Sequence, residues 1–379
     1  MAIAEVQCSH TLTLVDEALG TTLEYCASRH TEELKRPPNV GHLHGVTRVL
    51  NRAVERFGLH VARVSYVRTA EASGYSAFGK WTSVGTLRSI MEDPRAFDDV
   101  YGLFADETSR LVYDWYIKCR VAYAFVGEAA LRFFPARESR LNYEHLCQSL
   151  HRAKEGGYRT CNLVIRCDPT VLVDTFALEQ YNLKEFVEPS RGWVALDVGA
   201  YKGETALWLA QKLGSSGRVF AFEPNPPTRA VLQSNLQGNA SSDMAPIVVM
   251  PYGVGAMPGM QLFVGTAGAG SLIDNAGESR IPVTCIDDVV SHENLDRVDF
   301  IKMDIEGGEA DALKGARVTM KAFGPRLAIC VYHKPRDLPD IVALIRETRP
   351  DYEFRLSHKS PGLGDTVLFA RVSMSSRDL

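Results

Sequence analysis

The stretch VALDVGAYKGET, residues 194–205, begins as a short apolar run and ends in a turn that contains two glycines. The run has the composition of a strand buried on both faces, and the residues that follow, ETALWLAQKL, have the spacing of a helix. Gly199 and Gly203 therefore lie in a strand-to-helix turn, where the absence of a Cβ atom lets the backbone bend tightly and approach a ligand. Beyond them the N-terminus of the helix offers free N–H groups, which suit a carboxylate or a phosphate.

This turn differs from the turn that binds dinucleotides. Its glycines have the spacing GxxxG, whereas a dinucleotide site has GxGxxG. Asp197 ends the strand, and its charge would repel a pyrophosphate but attract a ligand with an ammonium group. A tight connection that binds no ligand is the alternative interpretation of the same residues.

A second acid follows at the distance expected of a nucleoside site. RVFAFEP, residues 218–224, has the pattern of a buried strand and ends in Glu223, 24 residues after Gly199. An acid about 20 residues beyond a glycine turn commonly accepts hydrogen bonds from both ribose hydroxyls. A solvated strand end or a helix cap is the alternative for Glu223. Together the two motifs predict a nucleoside that carries an amino-acid-like tail, and S-adenosylmethionine has that shape.

The pattern of the whole chain changes near residue 190. After it, strand patterns alternate with helix patterns, which predicts a mostly parallel, doubly wound α/β sheet. The last two runs, YEFRLSHK and DTVLFARV, are joined by the turn-rich SPGLG and predict an antiparallel hairpin at the sheet's edge. Before residue 190 the spacing is mainly helical, and helices are predicted over residues 10–26, 44–57 and 109–125. We therefore expect a mainly α-helical accessory domain over residues 1–185 and a catalytic domain over residues 186–379.

Composition limits the classes of protein that this chain can be. Its 379 residues are 45% hydrophobic, and 42 basic against 46 acidic residues leave a net charge of -4. So weak a charge gives no support to a nucleic-acid partner or to a polybasic membrane anchor. No apolar stretch approaches the roughly 20 residues that span a bilayer, no secretory leader is evident, and the eight cysteines have no zinc-binding pattern. We expect a cytoplasmic protein with no membrane partner.

With these motifs the sequence resembles the FkbM family of methyltransferases, which have the class I S-adenosylmethionine-dependent fold. The resemblance covers roughly residues 190–372. Beyond VALDVGAYKGET and FAFEPNP it rests on three later blocks, which are IPVTCIDDV (281–289), DFIKMDIEGGEADALKGA (299–316) and a tail that runs from YHKPRDL (332–338) to DYEFRLSHKSPGLGDTVLFA (351–370). It implies a Rossmann-like α/β fold with a seven-stranded sheet, and O-methylation of a small molecule or sugar in secondary-metabolite or glycan biosynthesis.

The resemblance also implies which residues bind S-adenosylmethionine. Three groups are expected, at the methionine end, at the ribose and at the adenine. They are Asp197, Gly199, Tyr201 and Gly203 for the first, Glu223 for the second, and Tyr252 and Gly253 for the third. Ala200, Thr205, Pro224 and Asp304 are also expected to bind the cofactor. Lys202 departs from the family pattern, which often has a small polar residue there. It could face solvent, pair with Asp197 or reach the substrate.

The strand pattern FIKMDIEGG places two more acids where ligands bind in such a sheet. Asp304 and Glu306 lie at the carboxyl end of this strand, and His333 ends the next one, in CVYHKP. Strand ends of this kind converge outside a doubly wound sheet. An imidazole beside an acid can remove the proton of a hydroxyl near neutral pH. We expect Asp304, Glu306 and His333 to surround the reacting centre, with His333 or Asp304 as the base; a histidine that only fixes a loop is the alternative.

A divalent metal is a further hypothesis for the same three residues. Carboxylate oxygens and an imidazole nitrogen could hold magnesium or manganese. Such an ion would bind the acceptor hydroxyl and lower its pKa. The spacing of Asp304, Glu306 and His333 does not by itself establish a metal.

Several other residues invite a functional interpretation but have simpler roles available. Asp287 and Asp288 are expected to cap a helix, Glu309 and Asp311 to favour a helix N-terminus, and Gly315 to permit packing. Ser271, in the segment GTAGAGSLID, could line the acceptor site or lie in a plain loop. His358 and Lys359 could meet a substrate anion, although a solvated edge is the simpler expectation.

Three functions remain in view. The leading one is an S-adenosylmethionine-dependent O-methyltransferase, whose helical N-terminal domain would cover the acceptor site or form a homodimer. A nicotinamide-dependent (NAD) oxidoreductase on a Rossmann fold is the second, and the GxxxG spacing and Asp197 argue against it. The third is a module that binds S-adenosylmethionine without catalysis.

Overall fold

The computed structural model describes residues 9–33, 74–154, 156–264, 272–273 and 279–373. Its helices are α1 (His10–Glu33), α2 (Gly74–Glu92), α3 (Pro94–Leu103), α4 (Glu107–Val126), α5 (Ala130–Phe133), α6 (Arg140–Ser149), α7 (Pro169–Leu172), α8 (Glu204–Leu213), α9 (Pro226–Gly238), α10 (Ile286–His292), α11 (Glu309–Lys314), α12 (Arg317–Phe323) and α13 (Asp337–Thr348). The helix predicted over residues 44–57 and the loop residue Ser271 lie outside the described residues.

The strands form three sheets. They are β1 (His151–Arg152), β2 (Tyr158–Thr160), β3 (Leu163–Ile165), β4 (Val194–Val198), β5 (Arg218–Phe222), β6 (Ile247–Met250), β7 (Gly253–Val254), β8 (Gly259–Val264), β9 (Leu272–Ile273), β10 (Ser279–Thr284), β11 (Phe300–Met303), β12 (Arg326–Cys330), β13 (Tyr352–His358) and β14 (Thr366–Val372). The large sheet has the order β13-β14-β12-β11-β4-β5-β6, and β14 runs antiparallel to both of its neighbours. The predicted doubly wound α/β fold with its closing hairpin is confirmed.

Burial explains why the central strands were recognisable. All four residues of β11 are buried, as are the last four of β4, β5 and β12. A strand covered by helices on both faces has no polar face, so its sequence is a continuous apolar run. The carboxyl ends of these four strands lie side by side, and the turns that leave them form the candidate site.

Two small sheets were not predicted. The run PIVVMPYGV appears as one strand in the sequence, but Pro251 and Tyr252 divide it into β6 in the large sheet and β7 in a second sheet of order β7-β10-β8-β9. The strands β1, β2 and β3 form a third sheet within the segment expected to be mainly helical. The run NLVIRC, residues 162–167, has a strand pattern and contains β3, whereas β1 and β2 are only two or three residues long, too short for a pattern to be visible.

The N-terminal helices pack on the β13 side of the large sheet. Asp106 caps α4 by accepting a hydrogen bond from the backbone N–H of Ser109 at 2.9 Å. The Ser109 hydroxyl in turn accepts a hydrogen bond from the N–H of Leu356 in β13. Phe97 and Tyr113 share one apolar cluster with residues of that strand. The domain boundary at residue 185 and a dimer through these helices stay predictions.

None of the helices in the described segments has both the length and the apolar character needed to cross a bilayer.

Candidate active site

The turn after β4 has the backbone shape that its glycines suggested. Gly199 has φ +86°, and a Cβ atom there would lie 1.9 Å from the carbonyl oxygen of Asp304. Gly203 has φ +89° and precedes α8, and it has no side chain that could cap the first N–H groups of that helix. Gly199 therefore allows the backbone that follows β11 to approach the turn after β4, and Gly203 opens a helix N-terminus beside it.

Asp197 is fully buried and already has a cationic partner. Lys302 Nζ lies 3.2 Å from Asp197 Oδ1, and the Thr205 hydroxyl donates a hydrogen bond to Oδ2 at 2.6 Å. Burial alone would lower the pKa of Lys302, but the charges of Asp197, Asp304, Cys330 and Glu204 together raise it. The charge of Asp197 is thus balanced within the protein, which removes the reason for expecting a ligand ammonium at its carboxylate. Its place beside the methionine end of a cofactor stays a prediction.

Lys202 pairs with Asp168, not with Asp197. Its ammonium group lies 2.9 Å from a carboxylate oxygen of Asp168, and the same oxygen accepts a hydrogen bond from the Tyr201 hydroxyl at 3.1 Å. The carbonyl of Lys202 accepts a hydrogen bond from the side-chain amide of Asn235 in α9. The lysine therefore ties the glycine turn to the segment that precedes α7.

Glu223 follows β5 and is buried beside the glycine turn. One carboxylate oxygen accepts a hydrogen bond from the backbone N–H of Asn225 at 2.8 Å. Burial raises the pKa of Glu223 to about 7, against the opposing effects of Asn225 and the charge of Arg229. Arg229 donates hydrogen bonds to the carbonyl oxygens of Glu223 and Pro224. The carboxylate is thus held at the strand end by the backbone around it, which is where a ribose diol would meet it.

The residues expected at the adenine lie at the next strand end. Tyr252 is 36% exposed in the link between β6 and β7, and Gly253 begins β7, where it pairs with Val283. Ala200 is buried in the glycine turn, and its N–H donates a hydrogen bond to the carbonyl of Phe222. The structure brings these residues to one edge of the sheet, and their contacts with a cofactor stay predictions.

Two tyrosines hold Asp304 at the end of β11. The Tyr181 hydroxyl donates a hydrogen bond to Oδ2 at 2.7 Å, and the Tyr332 hydroxyl donates one to Oδ1 at 3.3 Å. Burial alone would raise the pKa of Asp304, but the charges of His333 and Lys302 hold it below its usual value. Asp304 is therefore a carboxylate with its oxygens already engaged. Tyr181 was missed because it lies 123 residues from Asp304 in the chain.

His333 lies among three carboxylates and is 1% exposed. Its Nε2 atom is 3.4 Å from an oxygen of Asp304 and 3.4 Å from one of Glu306, and its Nδ1 atom is 3.0 Å from Oε1 of Glu309. Burial alone would lower the pKa of His333, but the charges of Glu309, Asp304 and Glu306 raise it to about 10.

This arrangement corrects two expectations. The surrounding carboxylates therefore raise the pKa of His333 above the near-neutral value expected of it, while its role as the base stays a prediction. Glu309 was expected only to favour a helix N-terminus, but its side chain is fully buried against His333. Asp311 does have the expected ordinary role, since it is exposed and pairs with Lys314.

A second acidic pair lies close to Asp304 and was not predicted. Asp174 sits in a π-helical turn, Val173–Ala177, and its Oδ2 atom accepts a hydrogen bond from the Tyr143 hydroxyl at 2.9 Å. Its Oδ1 atom is buried and has no hydrogen-bond partner among the described residues. Burial and the charge of Asp365 raise the pKa of Asp174, while burial and the charge of Asp304 raise that of Asp365. π-Helical turns are frequent at functional sites, but no sequence pattern announced this one.

Three of the simpler expectations can be compared with the structure. Asp287 is a helix cap, although for α12, since it accepts hydrogen bonds from the N–H groups of Val318 and Thr319. Gly315 permits packing, because a Cβ atom there would lie 2.2 Å from the carbonyl of Gly255. The solvated edge expected at His358 and Lys359 is wrong.

Both of these residues have partners inside the protein. His358 is buried, bonds to Thr366 through Nδ1 and packs on the ring of Trp115. Lys359 donates hydrogen bonds to the carbonyl oxygens of Glu179 and Asn182. Neither residue therefore offers an open cation at the sheet's edge.

Comparison with known proteins finds similarity to methyltransferases over this part of the chain. Residues 197–356 match the family model described as "Methyltransferase FkbM domain". The hexuronic acid methyltransferase AglP of Haloferax volcanii is 29% identical over 161 residues, and the match covers 41% of this chain and 62% of that protein. The AMB antimetabolite synthetase AmbE of Pseudomonas aeruginosa is 28% identical over 203 residues, with 42% of this chain and 9% of that protein covered. The chain thus spans less than two thirds of either curated relative.

A solved structure was also compared. The methyltransferase FkbM from Methylobacillus flagellatus KT superposes with a TM-score of 0.48 at 23% sequence identity, covering 88% of this chain and 72% of that one.

Proposed function

We propose that the chain transfers a methyl group from S-adenosylmethionine to a hydroxyl of a small molecule or sugar, in keeping with the match of residues 197–356 to the FkbM methyltransferase domain. The observation that carries the proposal is the buried Glu223 carboxylate beside the glycine turn. A carboxylate accepts hydrogen bonds from a ribose diol, and the uncapped first turn of α8 offers N–H groups to a carboxylate tail. These residues fit a nucleoside with an amino-acid tail.

The other half of the site suits a hydroxyl acceptor. Asp304 lies at the end of β11 and accepts hydrogen bonds from Tyr181 and Tyr332. Asp174 lies nearby, and its Oδ1 atom has no hydrogen-bond partner in the described part of the chain. A sulfonium methyl donor supplies its own leaving group, so the protein mainly has to align donor and acceptor. The hydroxyl proton must leave as the new carbon–oxygen bond forms. Asp174 is the group we assign to accept it, because its raised pKa lies closer to neutral pH than that of an ordinary carboxyl.

The N-terminal region takes part in this site. Tyr181, Tyr143 and Asp174 all precede residue 186, and Arg120 in α4 donates a hydrogen bond to the carbonyl of Tyr332. We assign to this region the covering of the acceptor. The relatives support a sugar or a secondary metabolite as the acceptor, since one is named as a hexuronic acid methyltransferase and the other as an antimetabolite synthetase.

Calorimetric titration with S-adenosylmethionine, and separately with NAD, tests the cofactor. We expect S-adenosylmethionine to bind and NAD not to, and we expect Glu223→Ala to abolish the binding. Asp311→Asn, which changes an exposed acid outside the site, should bind as the unaltered protein does. NAD binding alone would replace the proposal with an oxidoreductase.

An acceptor panel then tests the reaction. Uronic acids, neutral sugars and polyhydroxylated metabolites are incubated with S-adenosylmethionine, and methylated products are detected by mass spectrometry. A product whose methyl group resists mild alkali is an ether, as O-methylation of a hydroxyl requires, whereas an ester would be cleaved. Binding of S-adenosylmethionine with no turnover across the panel would favour a module without catalysis.

A further inference from the structure

His333 is a buried imidazole surrounded by carboxylate oxygen atoms. Its contacts with them do not have the geometry of hydrogen bonds. Both of its ring nitrogens, and Oε2 of Glu309, are buried without a hydrogen-bond partner among the described residues. Buried polar atoms normally have partners, so an exception at a strand end requires an explanation. Three carboxylates face this one ring, and only Glu309 of the three is fully buried. A protonated imidazole carries one positive charge against three negative ones, and Lys302, which also acts on Asp304, is already paired with Asp197. Leaving negative charge uncompensated in such a partly desolvated site is costly.

We propose that His333, Asp304 and Glu306 bind one divalent metal ion, with Glu309 orienting the imidazole from its other nitrogen. The role of the ion in catalysis rests on the proposed methyl transfer, but its binding does not. The proposed ligands meet at Nε2 of His333, where Asp304 Oδ1 and Glu306 Oε2 each lie 3.4 Å away. Glu309 belongs to the same cluster, since one atom each of Asp304, Glu309 and His333 lie within 4.8 Å of one another.

The spacing around Nε2 suits a coordination sphere. Atoms that bind an ion at about 2.1 Å lie about 3.0 Å apart at octahedral angles and about 3.4 Å apart at tetrahedral angles. The separations of Nε2 from Asp304 Oδ1 and from Glu306 Oε2 are both 3.4 Å. The side chains of Asp304 and Glu306 are 23% and 26% exposed, so an ion can reach the buried nitrogen from solvent past these carboxylates.

The surroundings resemble the outer shell of a metal site. A histidine that binds a metal commonly donates its other N–H to a carboxylate, and ligating carboxylates are themselves hydrogen-bonded. Glu309 Oε1 lies 3.0 Å from Nδ1 and accepts a hydrogen bond from the N–H of Ile305 at 2.9 Å. Tyr181 and Tyr332 donate hydrogen bonds to Asp304.

The backbone at Glu306 supports the same assignment. Glu306 has φ +55°, a left-handed conformation that a glutamate rarely adopts, and Gly307 follows with φ +97°. Backbone strain of this kind is common at ligand sites. Carboxylates favour magnesium and manganese, whereas imidazole favours the later transition metals. A mixed set of two carboxylates and one imidazole points to manganese, and an ion of this class would supply Lewis acidity toward an acceptor hydroxyl.

The test uses the full chain, stripped with a chelator and dialysed, at pH 8 and without S-adenosylmethionine. Manganese(II) is titrated while the free ion is followed by electron paramagnetic resonance, and Mg²⁺ and Zn²⁺ are added as competitors. We expect one manganese ion per chain, with a nitrogen coupling from His333 in the pulsed spectrum. If none of the three ions binds at one per chain, the proposal is overturned, and the charges are then those of an imidazolium held by acids.

Variants separate the roles within the site. Asp304→Asn and Glu306→Gln should each weaken manganese binding at least about tenfold, and Glu309→Gln about 10- to 100-fold through its effect on the ring. His333→Gln should remove the nitrogen coupling, and Asp311→Asn, on the same helix as Glu309, should change nothing. Binding that survives both Asp304→Asn and Glu306→Gln would overturn the proposal. The coupling in the unaltered protein keeps the test valid if a variant fails to fold.

Failure of the metal site can be told apart from failure of the proposed function. S-adenosylmethionine is titrated into the stripped protein in a separate experiment. Cofactor binding with no metal binding overturns only the metal site, and metal binding with no cofactor binding overturns only the methyl transfer.

Discussion

The ammonium group of Lys302 lies 3.2 Å from Oδ1 of Asp197, and the two side chains are 3% and 0% exposed. The same ammonium donates a hydrogen bond to the carbonyl of Gly199 at 2.6 Å. Strand β11 therefore contacts both Asp197, the acid of β4, and Gly199, the first glycine of the turn after β4. Through these two contacts Lys302 fixes the shape of the turn from the neighbouring strand.

We predict that Asp197→Asn lowers the free energy of unfolding by about 3–5 kcal/mol, because it leaves the buried Lys302 without its counter-charge. Urea unfolding of the full chain, followed by tryptophan fluorescence, measures the loss. Lys302→Met is the matched control. The double variant should lose less free energy of unfolding than the sum of the losses in the two single variants. Strictly additive losses would mean that the two charges do not stabilise one another.

Gly199→Ala should also destabilise the protein, by about 2–4 kcal/mol. The new Cβ atom would lie 1.9 Å from the carbonyl of Asp304, and alanine is strained at φ +86°. Gly238→Ala is the control, since a Cβ atom there meets nothing within 4 Å. Thermal unfolding compares the two variants, and equal melting temperatures would refute the close approach of the two strand ends.

The sheet could be predicted because its determinants are local. The strands β4, β5, β11 and β12 are mainly apolar runs, and the first three are followed at once by a glycine or an acid in the chain itself. The position of Glu223 relative to Gly199 is also a spacing along the sequence. Features of this kind need no knowledge of which elements meet in space.

The electrostatics of the site could not be predicted, because the partners are far apart in the chain. Lys302 appears in FIKMDIEG as one charged residue in an apolar strand, and only the pairing of β11 with β4 places it beside Asp197. His333 meets Glu309 as well as the predicted Asp304 and Glu306, and this third carboxylate raises the pKa of the imidazole. Tyr181 and Asp174 come from a segment with no recognisable motif.

The affinity for S-adenosylmethionine should fall as the pH drops below about 7. Burial raises the pKa of Glu223 to about 7, and the ionised carboxylate is the better acceptor for a ribose diol. Binding therefore favours the ionised form of Glu223, and below pH 7 this carboxyl must lose a proton before the ligand binds. Between pH 8 and pH 6 we expect the dissociation constant to rise about tenfold.

Calorimetry of the unaltered protein and of Glu223→Gln checks this prediction. The amino group of the ligand also titrates near pH 8, so the variant reports the part of the change that does not come from Glu223. In the variant the affinity should be lower at pH 8 and change little down to pH 6. The same steep decline in both proteins would assign the titration to another group.

The last prediction concerns Asp174 as the group that accepts the hydroxyl proton. Asp174→Asn should lower kcat by about 10²- to 10⁴-fold and leave the affinity for S-adenosylmethionine unchanged. A base must be ionised, so turnover in the unaltered protein should be lost as the pH falls through the raised pKa of Asp174. The hydrogen bond from Tyr143 stabilises the ionised form and lowers that pKa. Tyr143→Phe should therefore move the acid limb of the rate profile to higher pH, which a merely structural role would not do. An acid limb that stays in place in Tyr143→Phe, or full turnover in Asp174→Asn, would exclude Asp174 as the base. Asp304 or solvent would then be the acceptor of the hydroxyl proton.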